Sequence, residues 1–174
     1  MMKPQDVAVL VHLVALGRVP WTYRKLAASI GLSVSELSAS VGRSTYAGLV
    51  HPTSRVPVRA ALLEFLVHGL RYVFPVQPGA PTRGVPTGLA APHFAGRVLA
   101  TVDALPWVWP SREGTVRGVG IDPVHPLLVS GSLADPTVYG VAALVEAQRA
   151  FGARERREAA VLLDSWLRTL LGAQ

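Results

Sequence analysis

Residues 21–50 read WTYRKLAASIGLSVSELSASVGRSTYAGLV, and this stretch decides the fold. Two helices fit into it, one on each side of Gly31. Thr22 is placed as an N-cap, with a side-chain oxygen able to accept from first-turn backbone N–H groups. Tyr23, Leu26, Ala27 and Ile30 then share one apolar face of a helix over 22–30, while Arg24 and Lys25 lie on another. Gly31 stops that helix, and Leu32 is an apolar plug. Ser33-Val34-Ser35-Glu36 is a capping box, so a second helix starts there and is predicted over 33–48. Val34, Leu37 and Val41 are read as its buried stripe, extended by Tyr46 and Leu49. Gly42 costs this helix about 1 kcal/mol against alanine. Its outward positions are read as Ser35, Glu36, Ala39, Ser40, Arg43 and Ser44. Ser35, Ser38, Ser40 and Ser44 weaken it, because serine hydroxyls compete for backbone groups. A requirement other than helix stability therefore selects them.

Working outward, residues 4–17 form a helix in this reading. Pro4 suits the first turn, Asp6 complements the N-terminal dipole and Gly17 closes the end. Val7, Leu10, Val11 and Val14 recur at helical spacing, and the intervening residues are also apolar, so burial on several sides is expected. Residues 51–57 are turn-rich. A helix is predicted over 58–69, closed by Gly69, and a short strand over Tyr72–Val76. Residues 77–97 are rich in proline and glycine and read as a long irregular connection. Leu105–Pro110 is Pro-rich, Arg112–Ile121 is strand-like, and Asp122-Pro123 and His125-Pro126 read as turns. Helices at 136–150 and 153–171 close the chain, the first capped by Asp135, and Gly152 lets them pack as an antiparallel hairpin. The class is mainly α: an N-terminal helix-turn-helix region (1–76), then a C-terminal region (77–174) with short strands and the helical hairpin.

Bulk properties narrow the function. Half of the 174 residues are hydrophobic and only 16% are charged, which excludes a disordered chain. Mean hydropathy is +0.35, yet no apolar run reaches the roughly 18–20 residues of a membrane span, and Val7–Leu16 lacks the cleavage site of a secretory signal. No membrane association is expected. The surplus apolar surface points to an interface, most simply a homodimer. The absence of cysteine removes disulfides, thiolate nucleophiles and zinc–thiolate sites, and fits a cytoplasmic location. Net charge is +6 and is unevenly placed. Residues 1–56 carry six Lys/Arg against Asp6 and Glu36, whereas residues 119–174 carry five Arg against six acids. A basic front suits a polyanionic partner.

The helix pair around Gly31 has the layout of a helix-turn-helix, in which one helix braces against the DNA backbone and the next enters the major groove. Small hydroxyl-bearing side chains let a helix sit deep in that groove. Candidate DNA-contacting residues are Thr22, Arg24 and Lys25 from the bracing helix. From the recognition helix they are Ser33, Ser35, Glu36, Ser38, Ser40, Arg43 and Ser44, with Arg55 from the loop that follows. Arg43 is the expected reader of guanine or phosphate, and Arg24 and Lys25 face phosphates.

Residues 21–50 resemble winged helix-turn-helix regulators of the MarR-like kind: bracing helix, Gly-Leu-Ser turn, recognition helix, then Ala47-Gly48-Leu49-Val50. The resemblance implies a homodimeric transcriptional regulator of duplex DNA. That family follows the recognition helix with a basic-tipped β-hairpin. Here only His51–Pro57 is available, so the wing is short, with Arg55 as its basic residue, or absent. The N-terminal layout is also similar to antitoxins of the AbiEi type. That likeness implies the alternative function, an antitoxin or adaptor that holds a partner protein (a toxin) through its C-terminal region.

No catalytic set, metal site or cofactor site is found, and an enzyme is not expected. His12, His51, His68, His93 and His125 show no ligand spacing, and His12 and His68 are read as core or interface groups. Pro81–Gly88, with Arg83, lacks the Lys-Ser/Thr ending of a phosphate loop and reads as a structured loop. Trp107 and Trp109 read as core packing.

Overall fold

The computed structural model describes residues 1–95 and 105–172. The chain begins with α1 (Pro4–Leu16), α2 (Tyr23–Ile30) and α3 (Val34–Tyr46). It continues with α4 (Arg59–Glu64), a π-helical turn (Phe65–Gly69) and α5 (Leu70–Val73). Strand β1 (Pro81–Pro86) follows, with single 3₁₀ turns at Gly88–Ala90 and Pro92–Phe94, then β2 (Trp107–Pro110) and β3 (Val116–Gly120). The chain ends in α6 (Pro126–Ala134), α7 (Pro136–Ala150) and α8 (Ala153–Leu171). The fold is mainly helical with a small three-stranded sheet. Among the described residues no helix is long and apolar enough to cross a membrane.

Two helices that are apolar on nearly every side carry the core, as their sequences require. In α1, every residue from Asp6 to Val14 is buried. It packs against α3 and also against α6, α7 and α8. In α7, Val138 and the run Val141–Val145 are buried. The closing hairpin thus buries its apolar face on α1 and on itself. Leu26, Leu37, Leu62, Trp109, Leu144 and Leu167 belong to one hydrophobic core, which spans both sides of position 76.

Three expectations are corrected. Gly69 does not end the helix begun at Arg59, because the Leu70 N–H reaches the Phe65 carbonyl in a widened turn and fully buried Leu70 keeps the chain helical. Tyr72–Val76 is accordingly no strand: α5 runs to Val73, and Arg149 Nε captures the Phe74 carbonyl at 2.7 Å. Burial of Leu70 and the bond to the Phe74 carbonyl outweigh the β-propensity of Tyr72, Val73 and Phe74. His125-Pro126 is the start of helix α6, not an isolated turn. Pro126 occupies its first turn and the Leu127 N–H donates to His125 Nδ1 at 3.3 Å. Gly131, which weakens the sequence signal for α6, is needed because a Cβ there would lie 2.6 Å from the His12 ring.

The segment read as an irregular connection contains β1; its residues 96 and 97 lie outside the described residues. β1 runs antiparallel to β2 (Val85↔Trp109) and to β3 (Arg83↔Arg117), while β2 and β3 pair in parallel (Trp107↔Val119). The three strands therefore close on one another. So small a closure forces backbones together: a Cβ on Gly114 would lie 1.9 Å from the Gly84 carbonyl carbon. Pro81, Pro86 and Pro110 sit at strand ends, where a missing N–H is tolerated. Trp109 is fully buried and Trp107 meets the Phe151 ring edge-on at 5.0 Å. The Tyr139 hydroxyl donates to the Pro86 carbonyl at 2.6 Å, and burial pushes that phenol up to about 12.

A buried ion pair on α7 ties the connection between β3 and α6 and the end of α5 to the core. Glu146 accepts the Val124 N–H at 2.7 Å and is bridged by Arg149, whose guanidinium also donates to the Phe74 and Asp122 carbonyls. Burial pushes the Glu146 carboxyl up, against the pull of Arg149 and the Val124 N–H. Replacing Arg149 with Met leaves this carboxylate unpaired, and a urea melt of the variant should show a loss of about 3–5 kcal/mol.

His12 adds a pH dependence. Burial lowers its pKa from 6.5, opposed by the Leu127 carbonyl and the Asp135 charge, and burial lowers His125 in the same direction. The unfolded chain then takes up protons before the folded one, so stability is full above the ordinary histidine range and falls as pH drops below it. Urea midpoints should decrease from about pH 7.5 to about pH 5, and His12→Gln should make that slope shallower without removing the His125 share.

Candidate functional site

The N-terminal layer is built on α1. Asp6, three residues into that helix, has no exposed surface. Its carboxylate accepts the Lys3 N–H at 2.8 Å, the Ser40 hydroxyl at 2.7 Å, and Arg43 through both Nε (2.8 Å) and Nη2 (2.6 Å). Burial alone would raise the Asp6 pKa; the hydrogen bonds from Arg43, Ser40 and Lys3 outweigh it and hold the carboxyl below its ordinary value. The same pairing raises the Arg43 guanidinium.

This arrangement corrects the reading of α3. Leu37, Ser40, Val41 and Ser44 form its buried stripe. Ser40 and Ser44 are therefore inward, not outward, and Arg43 is committed to Asp6 rather than offered to a ligand. The Ser44 hydroxyl has no hydrogen-bond partner among the described residues. Val34 and Tyr46, expected to be buried, are 48% and 96% exposed. The spacing 37, 40, 41, 44 is itself helical. Serine is small enough at positions 40 and 44 to let α3 sit close on α1, so its polarity does not place it at the surface.

The remaining candidates do come together. Ser33 caps α3 and the box is closed: Glu36 accepts the Ser33 N–H at 2.9 Å and the Ser33 hydroxyl at 2.6 Å, and its own N–H donates back at 3.2 Å. These bonds to Ser33 lower the Glu36 pKa. Thr22 caps α2 by accepting the Lys25 N–H at 3.3 Å. Gly31 takes the left-handed conformation (φ 76°) that ends α2 and turns the chain into α3. Thr22, Arg24, Lys25, Ser33, Ser35, Glu36 and Ser38 are all exposed, as are Ala39 and Gly42 on the same helix as Ser35 and Ser38. α3 packs on α1 and α2, while α6, α7 and α8 pack around the remainder of α1.

After α3, where the sequence leaves room for a short wing or none, a single antiparallel bridge joins Val50 and Pro57. Arg55 has a left-handed backbone (φ 57°) within this loop. Its guanidinium lies 4.6 Å from the Trp21 ring centre and 5.4 Å from that of Tyr23. The loop is thus held against the entrance of α2 by a cation–π contact. Trp21 and Tyr23 join the site through this contact, and their position on either side of Thr22 is the sequence signal that marks them. A cleft of about 580 Å³ lies between α2 and α6, lined by His12, Leu26, Ile30, Leu127, Ser130 and Asp135.

No protein-family model, curated protein or solved structure matches the chain significantly. The class it defines therefore rests on its own geometry: a mainly helical protein with a small closed sheet and an exposed, tightly capped helix pair near its N-terminus.

Arg43→Ala leaves Asp6 buried without its main partner and should cost about 3 kcal/mol in a denaturant melt. Because the folded Asp6 pKa is depressed, its contribution is present above the ordinary aspartate value of 3.8 and is lost as pH falls through the lowered one. An acid titration followed by circular dichroism should unfold the variant at higher pH than the parent.

Proposed function

We propose that this chain is a homodimeric, cytoplasmic regulator that binds duplex DNA by laying α3 in the major groove, in the manner of a helix-turn-helix protein. The observation that carries the reading is the exposed face of α3. It is open to solvent and is lined by Ser35, Ser38, Ala39 and Gly42. Small side chains allow close approach to base edges, and the two hydroxyls can donate or accept there. Arg24 and Lys25, exposed on α2, supply cations for the phosphates that flank the groove.

The roles divide as the geometry divides them. Ser35 and Ser38 face bases, and Thr22, Arg24 and Lys25 face the backbone. Ser33 and Glu36 are occupied with each other and keep the first turn of α3 rigid. Arg55, within cation–π distance of Trp21 and Tyr23, stands where a wing would begin and offers a phosphate contact in place of a minor-groove reader. Arg43 orients α3 through Asp6 and reads nothing. In a two-fold dimer the two α3 helices lie about 34 Å apart, one turn of DNA.

Fluorescence anisotropy with labelled genomic fragments at low salt tests this. The wild-type chain should bind, and Ser38→Glu, which places a carboxylate on the exposed face, should weaken binding at least about tenfold. Lys25→Gln should reduce the slope of log affinity against log salt by about one. Absence of binding by the wild-type chain would overturn the proposal.

A further inference from the structure

The small sheet carries a charge arrangement that its folding does not require. Arg83 on β1 and Arg117 on β3 are directly opposed across an antiparallel pair, and both are exposed. Opposed residues project from the same face, and like charges there are destabilising. Arg112, in the β2–β3 connection, lines an open hollow with Arg83, Thr82, Pro110 and Ser111. None of the three arginines forms an ion pair among the described residues. Glu113 is the acidic neighbour in the same turn, and its N–H is bonded to the Ser111 hydroxyl. Arg83 Nε donates to the Gly114 carbonyl, which orients the guanidinium and leaves its other donors available.

Charged side chains on small sheets commonly protect an open edge from pairing with another chain. That explanation is weak here, because each of the three strands pairs with both others. A surface that sets Arg83 opposite Arg117 and beside Arg112, on backbones packed too tightly for a Cβ at Gly84 or Gly114, has the chemistry of a rigid phosphate-binding surface.

We propose that Arg83, Arg112 and Arg117 form a phosphate-binding face that contacts the DNA backbone outside the groove occupied by α3. The proposal rests on the DNA-binding reading. The face adds affinity and carries no sequence preference, since backbone phosphates are the same in every sequence.

The test is a salt series, from about 50 to about 200 mM, on full-length protein and duplex DNA. It compares wild type with the double variant Arg112→Gln/Arg117→Gln. Both side chains are exposed and the Arg83–Gly114 contact is kept, so the variant should fold, with a thermal melt at or slightly above that of wild type as the Arg83–Arg117 repulsion is relieved. The expected result is a salt slope smaller by about two, at about 0.9 per phosphate, and affinity reduced about tenfold or more for every sequence alike. If wild type binds DNA and the variant matches it in slope and affinity, the face is not a DNA contact and the reading of α3 stands. If wild type binds no DNA, both proposals fall together. A parallel melt with inorganic pyrophosphate separates the other source of phosphate. Stabilisation of wild type but not of the variant, with DNA slopes unchanged, would assign the face to a small phosphorylated ligand and overturn the backbone contact.

Discussion

A carboxylate with no access to water must be paired, and Asp6 meets that requirement through α3. The Arg43 fork and the Ser40 hydroxyl reach it from one side of that helix, and the Lys3 N–H reaches it from the start of α1. Two donors separated by three residues on α3 fix its rotation about its own axis. With Ser40 and Arg43 turned inward, Ser35, Ser38, Ala39 and Gly42 are left at the surface. The chemistry available to a ligand on α3 is therefore a consequence of a buried ion pair on its opposite side. Apolar packing alone would hold α3 against α1, but it specifies rotation less sharply than a bidentate hydrogen-bonded pair does.

Glu146 and Arg149 act similarly on the C-terminal side. There the pair sits within one helix, and its spare donors and acceptors gather the end of α5 and the connection between β3 and α6. These segments have little regular structure of their own, so their carbonyl and N–H groups need partners from elsewhere. α1 and α7 thus run through the middle of the apolar core and, among the described residues, carry its fully buried acids, Asp6 and Glu146. The core is continuous because the same helices serve both layers, which couples the exposed helix pair mechanically to the sheet and the closing hairpin.

Much of the fold was legible in the residues. Thr22, Gly31 and the Ser33–Glu36 box placed the ends of α2 and α3 within a residue or two, because capping is local chemistry between neighbours. Pro4 and Asp135 marked the starts of α1 and α7 for the same reason. Gly69, Tyr72–Val76 and His125-Pro126 depart from their local reading because tertiary packing decides them: Leu70 is buried in the core, the Arg149 guanidinium takes the Phe74 carbonyl, and Gly131 lets α6 pack against the His12 ring. At the candidate site, Thr22, Arg24, Lys25, Ser33, Ser35, Glu36 and Ser38 are on the surface as read. Ser40, Arg43 and Ser44 are not, because nothing in the sequence of α3 announces that a carboxylate 34 residues from Ser40 waits beneath it.

The sequence by itself determined the helical class, the caps of the exposed helix pair, the absence of cysteine chemistry and the basic character of the front of the chain. These follow from composition and from contacts between residues a few positions apart. Only the tertiary structure decided which face of α3 meets solvent, that three short Gly/Pro-rich segments close into one sheet, and that Arg83 and Arg117 stand side by side. Those outcomes depend on which distant groups satisfy a buried charge or fit against a glycine, and such pairings exist only once the chain has folded.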